Sequence, residues 1–286
     1  MTDATPILEG VRGGVTLRAV APALAAVSNT VLVSGKSMAE HVEPGWETAR
    51  RASSRVQTVR VTLMRGFDLT VDGGHVPLPP RAQRMIAFLA LHDRPVPRGF
   101  VGQTLYTNSP EARLSGNLRT ALWRMRRSGC DLVEARGECL AVSDRASVDV
   151  RRLACTAHRL LRDGAQPDAS EVDDLAAGGE LLPGWYEDWV VMERERTRQL
   201  WLRTLEVASE RLTGAGRHED ALVAGLAAVE SEPLRESAHR AVILAHLAAG
   251  NRGEAIRQYR RCATILAREL GLTPSPETRA LTGALG

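Results

Sequence analysis

A chain of 286 residues that is 44% hydrophobic, 25% charged and only 4% aromatic has the composition of one large or two ordinary globular domains. Collagen-like and broadly disordered classes are excluded. The net charge of +3 hides an asymmetry. Residues 55–136 carry thirteen basic and six acidic side chains, netting +7, whereas residues 137–286 carry nineteen basic and twenty-three acidic, netting −4. A basic block joined to an acidic one suggests a polyanion reader attached to a module for other partners. The basic residues are almost all arginine, Lys36 being the only lysine. Genome composition can produce that bias, although arginine also suits bidentate recognition of phosphates and base edges.

Residues 1–55 are rich in Ala, Val, Ser and Gly and lack sustained periodicity. They are expected to be a flexible N-terminal extension, dispensable for folding. Pro22 interrupts the apolar stretch 19–27, so no targeting segment is expected, and no run approaches the ~18 apolar residues of a membrane span. Cys130, Cys139, Cys155 and Cys262 show neither a C-x-x-C pair nor metal-ligand spacing with histidine. Reduced thiols and a cytoplasmic protein are the expectation.

Order is expected to begin near Thr58. Val59, Val61 and Leu63 alternate, as do Phe67, Leu69 and Val71, and the turn Asp72-Gly73-Gly74 leads to Val76 and Leu78. This pattern predicts a small antiparallel sheet. Met85, Ile86, Leu89 and Ala90 then give a helical stripe that ends before Pro95. A second helix is predicted over 97–105, with Pro97 at its start. Asn108-Ser109-Pro110 offers a cap for a third helix, Glu111–Arg127, closed by Gly129. Beyond it, Leu132-Val133 and Leu140-Ala141-Val142 flank Arg136-Gly137-Glu138, a two-stranded hairpin with Arg136 near its tip.

The third helix is the most informative segment. At 100° per residue Leu114, Leu118, Ala121, Leu122 and Met125 fall in one arc. Arg113, Asn117, Thr120, Arg124 and Arg127 fall in another, with Arg119, Trp123 and Arg126 along a flank. The second arc carries the groups that read base edges and clasp phosphates in a major groove. Alone, such a helix is equally an ordinary amphipathic surface helix. The order sheet, three helices, hairpin is that of a winged helix, and with the +7 block it favours DNA binding. Arg98, at the start of the second helix, and Arg136 are then expected to touch phosphate.

Helical patterning dominates from Val148 onward. Leu153, Ala157, Leu160 and Leu161 form one stripe. Trp185, Tyr186 and Trp189 concentrate aromatics in a chain poor in them and are expected to anchor a core, and a long helix is predicted over about 191–213. Gly216 recurs as Gly250, Ala215 as Ala249, Ala221 as Ala255 and Leu222 as Ile256, a spacing of 34 residues. That is the tetratricopeptide period, in which stacked helical hairpins share a core. His239 and His246 align with Leu205 and Leu212, so the match is partial. Gly35-Lys36-Ser37 lacks the glycine a phosphate loop needs five residues earlier, Thr30 standing there instead. No nucleophile–base arrangement or metal cluster emerges, and neither enzymatic activity nor a cofactor is expected.

The run 181–189 with Glu193-Arg194-Glu195-Arg196 resembles the opening of a bacterial transcriptional activation domain. So do the segments 216–222, 232–240 and 255–261, and the close Glu269-Leu270-Gly271-Leu272-Thr273-Pro274. Upstream, 117–127 is similar to the recognition helix of the same proteins. The resemblance is to the Streptomyces antibiotic regulatory protein family and covers roughly residues 58–280. It implies a winged helix over 56–146 and an all-α, tetratricopeptide-like domain over 147–286, so the fold class is mainly α with a small β component. It also implies binding to direct repeats near promoters, with room for two copies, and recruitment of RNA polymerase holoenzyme, usually at secondary-metabolite genes. Tyr106, Thr107 and Asn108, with Arg126 nearby, are the expected contact with sigma factor or a neighbouring subunit. Within 286 residues no sensor domain of larger relatives is expected. A helical-repeat adaptor that binds nucleic acid non-specifically and a repressor remain the alternatives.

Overall fold

The structure, a computed structural model, describes residues 57–106, 111–127, 132–162 and 164–283. The expected extension 1–55 lies outside the described residues. Strands β1 (Val59–Thr62), β2 (Asp68–Val71) and β3 (Gly74–His75) form the predicted antiparallel meander. Val76 and Leu78 do not extend β3. Helices α1 (Pro80–Ala90), α2 (Arg98–Leu105) and α3 (Glu111–Arg127) follow. The hairpin is β5 (Val133–Arg136) and β6 (Cys139–Val142), joined antiparallel with Val133 opposite Val142.

Two strands were not legible in the pattern. Val96–Pro97 forms a short β4 that pairs with β6, Val96 opposite Leu140, so the wing has three strands. Pro97 therefore ends that strand and caps α2, which begins one residue later than expected. The other is β7 (Ala146–Val148), which lies parallel to β1 with Val61 opposite Val148, giving the sheet order β3-β2-β1-β7.

The remainder is helical: α4 (Asp149–Arg162), α5 (Ala169–Ala176), α6 (Asp188–Gly214), α7 (His218–Ser231), α8 (Glu236–Ala248), α9 (Arg252–Leu270) and α10 (Pro276–Gly283). The long helix predicted over 191–213 begins three residues earlier and takes in Trp189. The 34-residue repeat is physical. Ala215 and Ala249 close α6 and α8 in helical geometry, and Gly216 and Gly250 then turn the chain at φ of 77° and 76°. Those angles suit glycine because it lacks the Cβ that crowds the left-handed region. Where α7 crosses α6 and α8, a Cβ on Gly225 would stand 2.9 Å from Val242 Cγ2 and 3.1 Å from Ser209 Oγ. The helices meet at that distance only because the side chain is missing.

The two halves exchange residues between their cores. Leu181, Leu182 and Val190 are buried among Val61, Leu69, Met85, Ile86 and Leu140 of the winged helix, with Trp185 and Trp189 packed alongside. In return Met64 enters the helical core beside Leu153, Leu160, Trp201 and Leu205. Tyr186 differs from the expectation: it is 81% exposed and anchors no core. The rings of Phe67, Trp185, Trp189, Phe88 and Phe100 form a chain with centroids 5.3–6.4 Å apart.

Polar ties cross the same seam. Asp149 Oδ2 accepts the backbone N–H groups of Leu63 and Met64, both at 2.8 Å, which fixes the start of α4 to the end of β1. Burial pushes its carboxyl up, and those N–H donors hold it partly down. Arg151 donates to the carbonyls of Leu89, Ala90 and His92 at the close of α1 (3.2, 3.1 and 2.9 Å). Replacing Arg151 by Met should cost about 2 kcal/mol or more, since three carbonyls lose a charged donor. Because the cores are shared, tryptophan emission and far-ultraviolet dichroism should report one coincident unfolding transition for residues 55–286. Two separated transitions would show that the halves fold independently.

His239 is almost fully buried, and its Nε2–H donates to Pro233 O at 2.9 Å, leaving Nδ1 to accept from the Gln258 amide at 2.9 Å. Burial lowers its pKa from 6.5; Arg261 adds to this, whereas Glu236 and the Pro233 carbonyl oppose it. A proton on Nδ1 would face the amide donor. The unfolded chain thus takes up the proton more readily than the folded one. The contribution is complete above about pH 6.5 and is lost as the pH falls below it. His239→Leu, which restores the residue type of the aligned Leu205, should flatten the decline in melting temperature between about pH 7.5 and 5.5. An unchanged decline would place the titrating group elsewhere.

Candidate nucleic-acid interface

Helix α3 is held by one face. Leu118, Ala121 and Met125 are 4%, 9% and 3% exposed and join the winged-helix core, while Leu114 and Leu122 are half-buried at its margins. The outer face shows Arg113, Ser115, Gly116, Arg119, Thr120 and Trp123 to solvent. Trp123, at 56% exposure, and Arg119 stand near the middle of that face instead of on a flank. Asn117 is half-buried and turned with Thr120 toward Arg81 and Tyr106, where the three elements enclose a space of about 100 Å³. The shift arises because Leu122, which the periodicity assigned to the core, sits at its edge. The Thr120 hydroxyl donates to Gly116 O at 2.9 Å, so only its lone pairs remain for a partner. Arg124, Arg126 and Arg127 lie on α3, but their side chains are outside the described residues.

The wing stands beside this helix. Between α3 and the wing opens a cleft of about 660 Å³, with Arg98 and Arg119 on its walls. Arg98, at the start of α2, is tied to the wing: its backbone N–H donates to Glu138 O in the wing turn at 3.0 Å. Its Nε is shut off from solvent and has no acceptor among the described residues. Arg136 lies at the end of β5 as expected, but its guanidinium is shared between Asp144 (2.8 Å) and Glu134 (3.1 Å). Those two carboxylates hold its pKa above the ordinary value. A phosphate would have to compete with both.

Thr107 and Asn108 lie outside the described residues. Tyr106, the other member of that expected contact, is half-buried against the core, and its hydroxyl is enclosed with no partner among the described residues. Burial raises its pKa, and Arg81 nearby opposes the rise. Less of the ring is open to a partner than the sequence suggests. Among the described residues no three His, Cys, Asp or Glu side chains come together at a metal-binding distance, and no helix is long and apolar enough to cross a membrane.

Comparison with known proteins agrees with this architecture. Residues 147–285 match the bacterial transcriptional activator domain. Regulatory protein AfsR of Streptomyces griseus is 26% identical over 232 residues, which is 77% of this chain. The chain spans only 23% of that protein's length. Transcriptional regulatory protein MoaR1 of Mycobacterium bovis is 26% identical over 244 residues, 78% of each chain. Among solved structures, Mycobacterium tuberculosis EmbR in complex with a low-affinity phosphopeptide superimposes with a TM-score of 0.59 over 80% of this chain and 65% of EmbR. At 21% identity that likeness speaks for the fold alone. A winged helix sharing its core with a bacterial transcriptional activator domain, in a chain similar to AfsR and MoaR1, supports the resemblance to the Streptomyces antibiotic regulatory protein family.

Proposed function

We propose that the chain is a sequence-specific DNA-binding activator, with a DNA-reading part over 56–146 and an activating part over 147–286. It binds direct repeats near promoters, two copies side by side, and recruits RNA polymerase holoenzyme in the cytoplasm, at genes of secondary metabolism. The observation that carries this reading is the outer face of α3, where Arg113, Arg119 and Thr120 are exposed beside the wing with its Arg136, and beside Arg98 at the start of α2. Helix α3 enters the major groove, Arg113, Asn117, Thr120 and Arg124 reading bases. Arg98, Arg119, Arg127 and Arg136 hold the flanking phosphates. The activating contact is made by Tyr106, Thr107 and Asn108, ahead of α3, and by Arg126 in its last turn, with sigma factor or a neighbouring subunit meeting the bound protein there.

Arg113→Ala and Arg124→Ala should each cost about 1–3 kcal/mol on the operator and little on random duplex, with relaxed preference at one base pair. Equal loss on both duplexes would rule out base reading. Arg119→Ala and Arg98→Ala should weaken all duplexes alike and flatten the dependence of log K on log salt by roughly one unit. Thr107→Ala and Arg126→Ala should leave promoter affinity intact while transcription by purified polymerase falls. Parallel loss of affinity and transcription would move the activating contact elsewhere.

A further inference from the structure

We infer that the cleft between α3 and the wing is a binding site for a small aromatic carboxylate, and that this ligand and DNA exclude one another. The second half of the inference rests on the DNA-reading role of α3; the first half stands on the cleft alone. About 660 Å³ is the size of a site for a drug-like molecule, for which ~300–1,000 Å³ is usual. Its walls are mostly apolar. Leu122 contributes from α3, and Val133 and Leu140 from the wing form a floor that is already dry at 5% and 0% exposure. Ala135 stands on β5 where a larger side chain would fill the space, and Trp123 flanks the opening.

Charge completes the description of the ligand. Arg98 and Arg119 both line the cleft and bring two guanidiniums to it. A carboxylate is the planar anion that a guanidinium fork matches. The neighbouring Arg136 is already taken by Glu134 and Asp144, so Arg98 and Arg119 are the described cations that a ligand in the cleft would meet. A phosphodiester would satisfy the guanidiniums, yet it has no apolar body to cover Leu122, Trp123 and Ala135, which still show apolar surface to the cleft. A ring bearing a carboxylate does both. Because Arg119 also faces the groove-reading side of α3, a bound acid removes from DNA one cation and part of the approach to the helix.

Calorimetric titration of the full chain with 2-naphthoate, and with the neutral 2-naphthalenemethanol, tests the site. One naphthoate should bind, and the alcohol should bind at least tenfold more weakly. Ala135→Phe, which fills the cleft, should weaken naphthoate at least tenfold. Arg98→Met, which keeps bulk and removes the charge, should bring acid and alcohol to similar affinities. Melting curves identify folded variants, and either substitution suffices if the other unfolds. No naphthoate binding in the millimolar range overturns the site, as does equal binding of acid and alcohol, or a folded Ala135→Phe chain that binds as well as the parent. Naphthoate should raise the apparent Kd for operator duplex in step with its occupancy. Duplex affinity unchanged at full occupancy overturns the exclusion, whereas naphthoate binding by a chain that holds no duplex overturns the DNA reading and leaves the site standing.

Discussion

The structure depends on one guanidinium. Arg194, in the second turn of α6, donates to the carbonyls of Leu181 (2.9 Å), Leu182 (2.7 Å) and Trp185 (2.7 Å) and pairs with Glu180 at 3.0 Å. It thereby holds a turn in which Leu182 stands at φ 45°, a conformation that costs a non-glycine residue roughly 1–2 kcal/mol. The strained turn is what lets Leu181 and Leu182 enter the winged-helix core while their backbone joins the end of β1, Leu182 N–H meeting Leu63 O at 2.9 Å. Arg84 adds to the seam by pairing with Glu187 and lying 5.1 Å from the Trp185 ring centroid. Arginine suits this place because its fixed fork of donors reaches three carbonyls and a carboxylate at once. The near-absence of lysine, neutral as a matter of composition, thus has a structural use at Arg151 and Arg194.

Local rules made most of the elements legible. Alternation gave β1 and β2, the cap and proline signals gave α3 from Glu111 to Arg127, and the recurrence of Gly216 as Gly250 gave the stacked hairpins. What escaped was non-local. Val96–Pro97 and Ala146–Val148 are too short for any period to mark, and each becomes a strand only because β6 or β1 offers it an edge. Tyr186 was grouped with its neighbours by composition, yet the turn at Gly184 sends Trp185 inward and Tyr186 outward.

The interface was legible to the level of the helix and less so to the level of its face. Periodicity placed Leu118, Ala121 and Met125 correctly, but a helical wheel weights every leucine equally. The wing reaches Leu122 only partly, so the exposed arc moves toward Arg119 and Trp123 and turns Asn117 into the side. The pairing of Arg136 with Glu134 and Asp144 was likewise invisible, because it depends on the hairpin bringing residues eight apart together. The cleft itself has no sequence signature; it is the space a small side chain leaves between two elements.

The exchange of residues between the cores bears on how such regulators can be recombined. A cut near residue 147, where the helical family match begins, would strip the winged helix of β7, of the Asp149 tie to β1 and of Leu181, Leu182 and Val190. A chimera that grafts this winged helix onto a foreign helical module must therefore carry the chain through the first turns of α6, as far as Arg194. The part that can be traded is then the stack from α7 onward, and the winged helix and the helical domain overlap along the sequence instead of meeting at a point.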